Sequence, residues 1–196
     1  MANTHDLRYV RTEEAIRSAF MALLVDGPAS SVTASALCRR ADISRNAFYL
    51  HYASVGDLYV TLVNELVADV SAEAKASALR VMTTGGVDRQ LPSALVNALA
   101  KHEGFLRSLL PSDDGSLAKC LAEGLEGAYV DAALVINESG GGFEHRMSCA
   151  FAAWALVGLV VRWINTTDLP LEGALPLFEQ FQTGLSESAT HFLTQG

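Results

Sequence analysis

Between residues 12 and 25 the pairs Ala15/Ile16, Ala19/Phe20 and Leu23/Leu24 recur every four positions, which lays one apolar stripe along a helix. The same helical period runs through almost every segment longer than ten residues. No stretch alternates apolar with polar residues as a half-buried strand would, and no internal repeat stands out. The chain is therefore expected to be all-α. Half of its 196 residues are hydrophobic, enough core for one domain or for a small domain fused to a medium one.

Local stop and start signals divide the stripes into elements. Gly27 and Pro28 end the first helix. Thr33 is placed to cap a short second helix, with Ala36 and Leu37 facing inward, that ends near Arg40. After the Ala41-Asp42-Ile43 turn, Ser44 opens a third helix to about Leu50. Ser54-Val55-Gly56-Asp57 has the spacing of a capping box with Asp in place of Glu, and Leu58, Leu62/Val63, Leu66/Val67 and Val70 carry a long fourth helix toward Arg80.

Further helices are expected at about 90–101, 103–110, 116–137, 143–165 and 173–194. Thr83–Gly86 and Pro111–Gly115 read as loops, and Gly140–Gly142 separates the two longest helices. In the last helix Phe178, Phe181, Leu185, Ala189 and Phe192 form a stripe costly to leave in water. The pattern divides into a helix-turn-helix head, residues 1–57, and a larger helical body, residues 58–196.

Charge supports that division. Residues 1–60 balance six basic side chains (Arg8, Arg11, Arg17, Arg39, Arg40, Arg45) against six acidic ones, whereas the rest holds eight basic and sixteen acidic. An acidic body is disfavoured along a polyphosphate, so any DNA contact belongs to the head. Cys38, Cys120 and Cys149 are odd in number, widely spaced and without a CxxC pair, which points to a reducing cytoplasm and to no structural zinc or other metal site. The opening MANTHDLRYV lacks the basic-then-apolar order of a signal peptide. The uncharged stretch Ser148 to Val161 falls short of the ~20 residues of a membrane span. It reads as a helix buried in protein, with no membrane partner.

Two short helices joined by a tight turn, the second opened by a serine cap, have the layout of a DNA-reading helix-turn-helix. At 100° per residue Arg45, Asn46 and Tyr49 fall within about a 100° arc, while Phe48 points away from it toward a core. Arg45 can pair with guanine edges or phosphates, Asn46 with adenine or a phosphate, and the Tyr49 hydroxyl with a phosphate. The helix N-terminus at Ser44 suits a further phosphate, and His51 is placed to add another contact.

These residues resemble the helix-turn-helix of TetR/AcrR-type regulators, whose pattern is G-x-x-x-[ST], then [AG]-[ILV]-S-[RK]-x-[ST]-[FL]-Y-x-[HY]-[FY], then S-K-[ED]-x-L. The chain matches with Gly27, Thr33, Ile43 to Tyr52, and Ser54 to Leu58, over about residues 11 to 67. Ala47 stands where the family usually carries Thr or Ser, and Gly56 where it usually carries a phosphate-reaching lysine. The DNA-contacting set implied is Thr33, Ser44, Arg45, Asn46, Ala47, Tyr49 and His51. Loss of two contacts implies weaker and less salt-sensitive binding.

The resemblance further implies a body that receives a small-molecule effector and dimerises. Gly158 to Trp163 looks like the G-[ILV]-x-x-x-W helix of one subgroup. Reading a two-fold operator needs two heads ~34 Å apart, so a homodimer is expected, joined through the helices near 143–165 and 173–194. Small Ala152, Ala155 and Gly158 permit close approach there. Candidate effector contacts are His102, Phe105, Tyr129, Phe151 and Trp154, although each alone is better explained as a core residue, since an aromatic at helical spacing needs no ligand to account for it.

An enzyme is not indicated. There is no G-x-S-x-G, P-loop or H-E-x-x-H, no cofactor motif, and the five histidines lack metal-ligand spacing. Glu144 and His145 adjoin, but neighbouring helical residues diverge by 100°. The remaining alternative is a helical dimeric interaction module whose DNA binding has weakened through Ala47 and Gly56.

Overall fold

The computed structural model describes residues 7–84, 91–136 and 142–180. Among these there are eight α-helices and no strand: α1 (Leu7–Leu24), α2 (Ala34–Ala41), α3 (Arg45–His51), α4 (Val55–Thr84), α5 (Leu91–Ala100), α6 (Glu103–Leu109), α7 (Ser116–Ile136) and α8 (Phe143–Thr166). Short 3-10 turns lie at Ala29–Ser31, Leu110–Ser112 and Leu171–Ala174. A further helix starts over 175–180. Phe178 is buried in it; Phe181, Leu185, Ala189 and Phe192 lie outside the described residues.

Most boundaries fall within a few residues of the expected ones. The largest departure is α1, which begins at Leu7 and not near Thr12. Its first turns carry no apolar stripe, and are held instead by Tyr9, whose ring stacks on His51 with centroids 3.9 Å apart. The α4 helix runs on to Thr84, through the first half of the expected Thr83–Gly86 loop.

The chain forms two compact units. The first holds the residues up to Glu65 together with Gly104–Asp114, and the second holds Leu66–Glu103 and the residues from Gly115 onward. The division thus falls inside α4, not at residue 57, and α6 joins the head. Its Phe105 and Leu106 are buried, with the Phe105 ring 6.4 Å from Tyr59.

In the first unit α1 packs on α2 and α3. Ile16, Phe20, Leu37, Phe48 and Leu58 are fully buried, each contributing roughly 1.5–3 kcal/mol by removal from water. In the second unit α7 packs on α8, and α5 and α8 on the turn at Leu171. That turn is tied down by the Leu171 N–H, which donates to the Glu103 carboxylate at 3.2 Å. α4 and α7 approach so closely that a Cβ on Gly124 would clash with Val67 Cγ1.

Helix α8 is not buried within one copy of the chain. Only 28% of its most apolar window is buried, and by length and composition alone Arg146–Thr166 could cross a membrane. Phe143, Met147, Phe151 and Trp154 are exposed, a stripe at i, i+4, i+8 and i+11. Cys149, Ala153, Val157 and Val160 form the opposite, buried face.

Candidate nucleic-acid interface

The site is built from local caps. Thr33 Oγ1 accepts the Ala36 N–H at 3.2 Å and starts α2. Asp42 ends it in the left-handed conformation with φ 54°, which a short polar side chain tolerates. The Ile43 N–H then donates back to the Cys38 carbonyl at 3.0 Å, closing the turn. Ser44 caps α3, its Oγ accepting the Ala47 N–H at 3.1 Å.

On α3 the expected division of faces is present. Phe48 is fully buried, whereas Arg45, Asn46 and Tyr49 are exposed. Arg45 Nη2 donates to Ser35 Oγ at 2.5 Å, tying α3 to the first turn of α2. Tyr49 meets the edge of Phe48 at 5.3 Å between centroids and leaves 53% of itself exposed. Thr33 and Ser44 are also exposed, and Ala47 is half-buried.

His51 is elsewhere. Its side chain is only 3% exposed, sandwiched by the stack on Tyr9 and by its Nδ1–H donating to Glu13 Oε2 at 2.7 Å. The expectation of a phosphate contact from His51 does not survive that placement. What it does is hold α1 to the end of α3.

Glu13 is the centre of a network absent from the sequence reading. Besides His51 it accepts the Tyr52 hydroxyl and Arg17 Nε, the latter at 2.8 Å. Arg17 in turn makes a two-pronged contact with Glu65 of α4, at 2.5 and 2.8 Å. Burial raises the Glu13 pKa, but the hydrogen bonds from Tyr52, Arg17 and His51 outweigh it, and the carboxyl ends below its ordinary value. Burial, and then the Glu13 carboxylate, push the Tyr52 hydroxyl up. The Glu65 contact holds Arg17 firmly protonated. Of these residues, the Glu13/Arg17 i,i+4 spacing was the one local signal available.

Ser54 and Asp57 form the expected cap of α4. The Asp57 N–H donates to Ser54 Oγ at 3.0 Å, and Asp57 Oδ2 accepts the Ala53 N–H at 2.9 Å. Gly56 is exposed, and an added Cβ would meet nothing closer than Ser54 Oγ at 3.5 Å. The backbone therefore accepts a longer side chain there.

The five candidate effector contacts do not form one constellation. Phe105 is buried in the first unit; the other four belong to the second. Phe151 and Trp154 are 61% and 48% exposed. His102 Nε2–H donates to Asp69 Oδ2 at 3.0 Å, and this bond draws the Asp69 carboxyl below its usual value. Tyr129 is half-buried, its hydroxyl pushed up to about 12 by burial and by Cys149. Sequence reasoning missed Ser77, whose Oγ is buried in α4 without a hydrogen-bond partner among the described residues. A lone serine in an apolar run gives no such signal.

No protein-family model matches the sequence, and no curated protein does. In three dimensions the chain is similar to the dihydroxyacetone kinase operon activator DhaS, with a TM-score of 0.62 over 88% of this chain and 94% of that one, at 15% identity. The likeness is one of fold. Another solved structure found is the TetR family repressor AlkX from a Dietzia species, at a TM-score of 0.48 and 20% identity over 88% of this chain and 97% of that one.

Proposed function

We propose that the chain is a DNA-binding transcriptional regulator of the TetR/AcrR type, reading a palindromic operator as a homodimer and answering to a small-molecule effector. The observation that carries the reading is α3: Phe48 fully buried, Arg45, Asn46 and Tyr49 exposed on one arc, and Ser44 capping the end nearest them. A solvated polar face needs no such order. Arginine and asparagine are the side chains that read guanine and adenine edges in the major groove, and tyrosine adds a phosphate contact. The fold shared with DhaS, named as an operon activator, supports a regulatory role.

One further feature supports the pairing of two copies. The exposed stripe of Phe143, Met147, Phe151 and Trp154 on α8 continues to Gly158, whose Cα faces open space. A large apolar face of this kind marks an interaction surface, and a second copy of the same helix fits it.

The test is a shift assay on the DNA flanking the protein's own gene, with Arg45→Ala/Tyr49→Ala as control. The wild type is expected to bind specifically and the double variant to lose that specificity while keeping its fold. Specific binding that persists in the double variant would remove α3 from its reading role.

A further inference from the structure

Beside the reading helix lies a depression of about 390 Å³, walled by Ala47 and Leu50 of α3 and by Arg8, Tyr9 and Thr12 of α1. A second depression follows α1, where Arg8, Arg11 and Ala15 meet Ile43, the residue ahead of the Ser44 cap. Arg8 lines both, so the two make one basic track along the flank of α3. Arg8 and Arg11 are exposed, and their i,i+3 spacing sets them side by side. The Tyr9 stack on His51, itself held by Glu13, fixes this turn of α1 against α3.

The position of the track decides its use. At 100° per residue Leu50 and Ala47 follow Asn46 around α3, so they form the margin of the arc that carries Arg45, Tyr49 and Asn46. When that arc enters a major groove, a sugar-phosphate strand passes its margins. At this margin α3 supplies a methyl group and an isobutyl group, neither of which donates a hydrogen bond. The donors there are the guanidinium groups of α1, whose planar forks match phosphate oxygens.

We infer that Arg8 and Arg11 form a second DNA-backbone contact, a phosphate clamp on the strand that runs past the Ala47 side of the reading helix. The inference rests on the DNA-reading role proposed above. The clamp adds charge and register but reads no bases, and it supplies phosphate contacts at the margin where Ala47 supplies none.

The experiment measures binding of the full chain by fluorescence anisotropy over a salt series, on an operator duplex and on an unrelated duplex. The variants are Arg8→Gln, Arg11→Gln and their combination, with Lys101→Gln/Lys119→Gln removing equal charge from the second unit. Because each substitution is present in both heads of the bound dimer, each clamp variant is expected to reduce the slope of log K against log salt by about 1.8, and the pair by about 3.6. Both duplexes should weaken by the same factor, the lysine pair should keep the wild-type slope, and far-UV circular dichroism should be unchanged throughout. A wild-type slope in the arginine pair, an equal loss in the lysine pair, or a loss confined to the operator would each overturn the clamp. Wild type that binds neither duplex would instead overturn the DNA-reading function, and the clamp with it. Silent clamp variants beside a specific wild type would leave that function standing.

Discussion

In the first unit the exposed face of α3 is polar and short, Arg45, Asn46 and Tyr49 on a helix held by caps and by a carboxylate network. In the second it is apolar and long, running down α8 from Phe143 to Trp154. The first face is ordered by its own chain: Ser44 caps it, Phe48 anchors it, and Glu13 binds its end through His51 and Tyr52. The second has one buried flank and one open one, and an apolar face of that size is completed by another molecule. On the proposed function the polar face is presented to DNA and the apolar face is covered by a second copy.

Removing the network should have the largest effect. Glu13→Ala strips the acceptor from Tyr52, His51 and Arg17 at once, and is expected to lower the stability of the first unit by about 3 kcal/mol, within the range for a charged group losing its hydrogen bonds. Denaturant unfolding followed by tyrosine fluorescence measures it. Because the folded carboxyl lies below its ordinary value, Glu13 stabilises at pH above the unfolded glutamate range, and that contribution fades as pH falls through the folded value. Glu13→Gln should therefore flatten the acid limb of stability against pH. An unchanged acid limb would show that the network contributes nothing.

Covering of the α8 face is tested next. Trp154→Arg is expected to weaken self-association about 30-fold, equivalent to about 2 kcal/mol for a central aromatic anchor. Sedimentation read beside helix content separates this from unfolding, since Trp154 is 48% exposed and its loss spares the core. Wild type that sediments as a monomer at micromolar concentration would contradict the pairing.

The difference between the faces also explains what could be read from the sequence. Caps and turns act over three or four residues, so Thr33, Ser44, Ser54 and the burial of Phe48 were legible directly. Contacts between distant residues were not. The Arg17–Glu65 pair spans 48 positions and leaves no periodic trace, and neither does the placement of Phe105 in the head. His51 closes α3, where the sequence suggests a contact residue, but the ring of Tyr9 turns it into a structural residue. For α8 the apolar pattern gave the helix and offered it as an interface, but not which of its residues stay exposed in one copy, because a buried stripe and an interface stripe have the same composition.

The smallest expected effect sharpens the account of the head. Gly56→Lys meets no steric obstacle at its Cβ, and with one lysine added to each head of the dimer should steepen the salt slope by up to about 1.8 while gaining some stability from the loss of a helical glycine. An unchanged slope would mean that the start of α4 does not face a phosphate.

The central claim, that α3 of a paired molecule reads base sequence, is tested most directly by selecting binders from random double-stranded DNA. The account predicts enrichment of a two-fold symmetric sequence with half-sites about one helical turn apart, lost in Arg45→Ala/Tyr49→Ala. Recovery of no enriched sequence by a folded, dimeric wild type would contradict it.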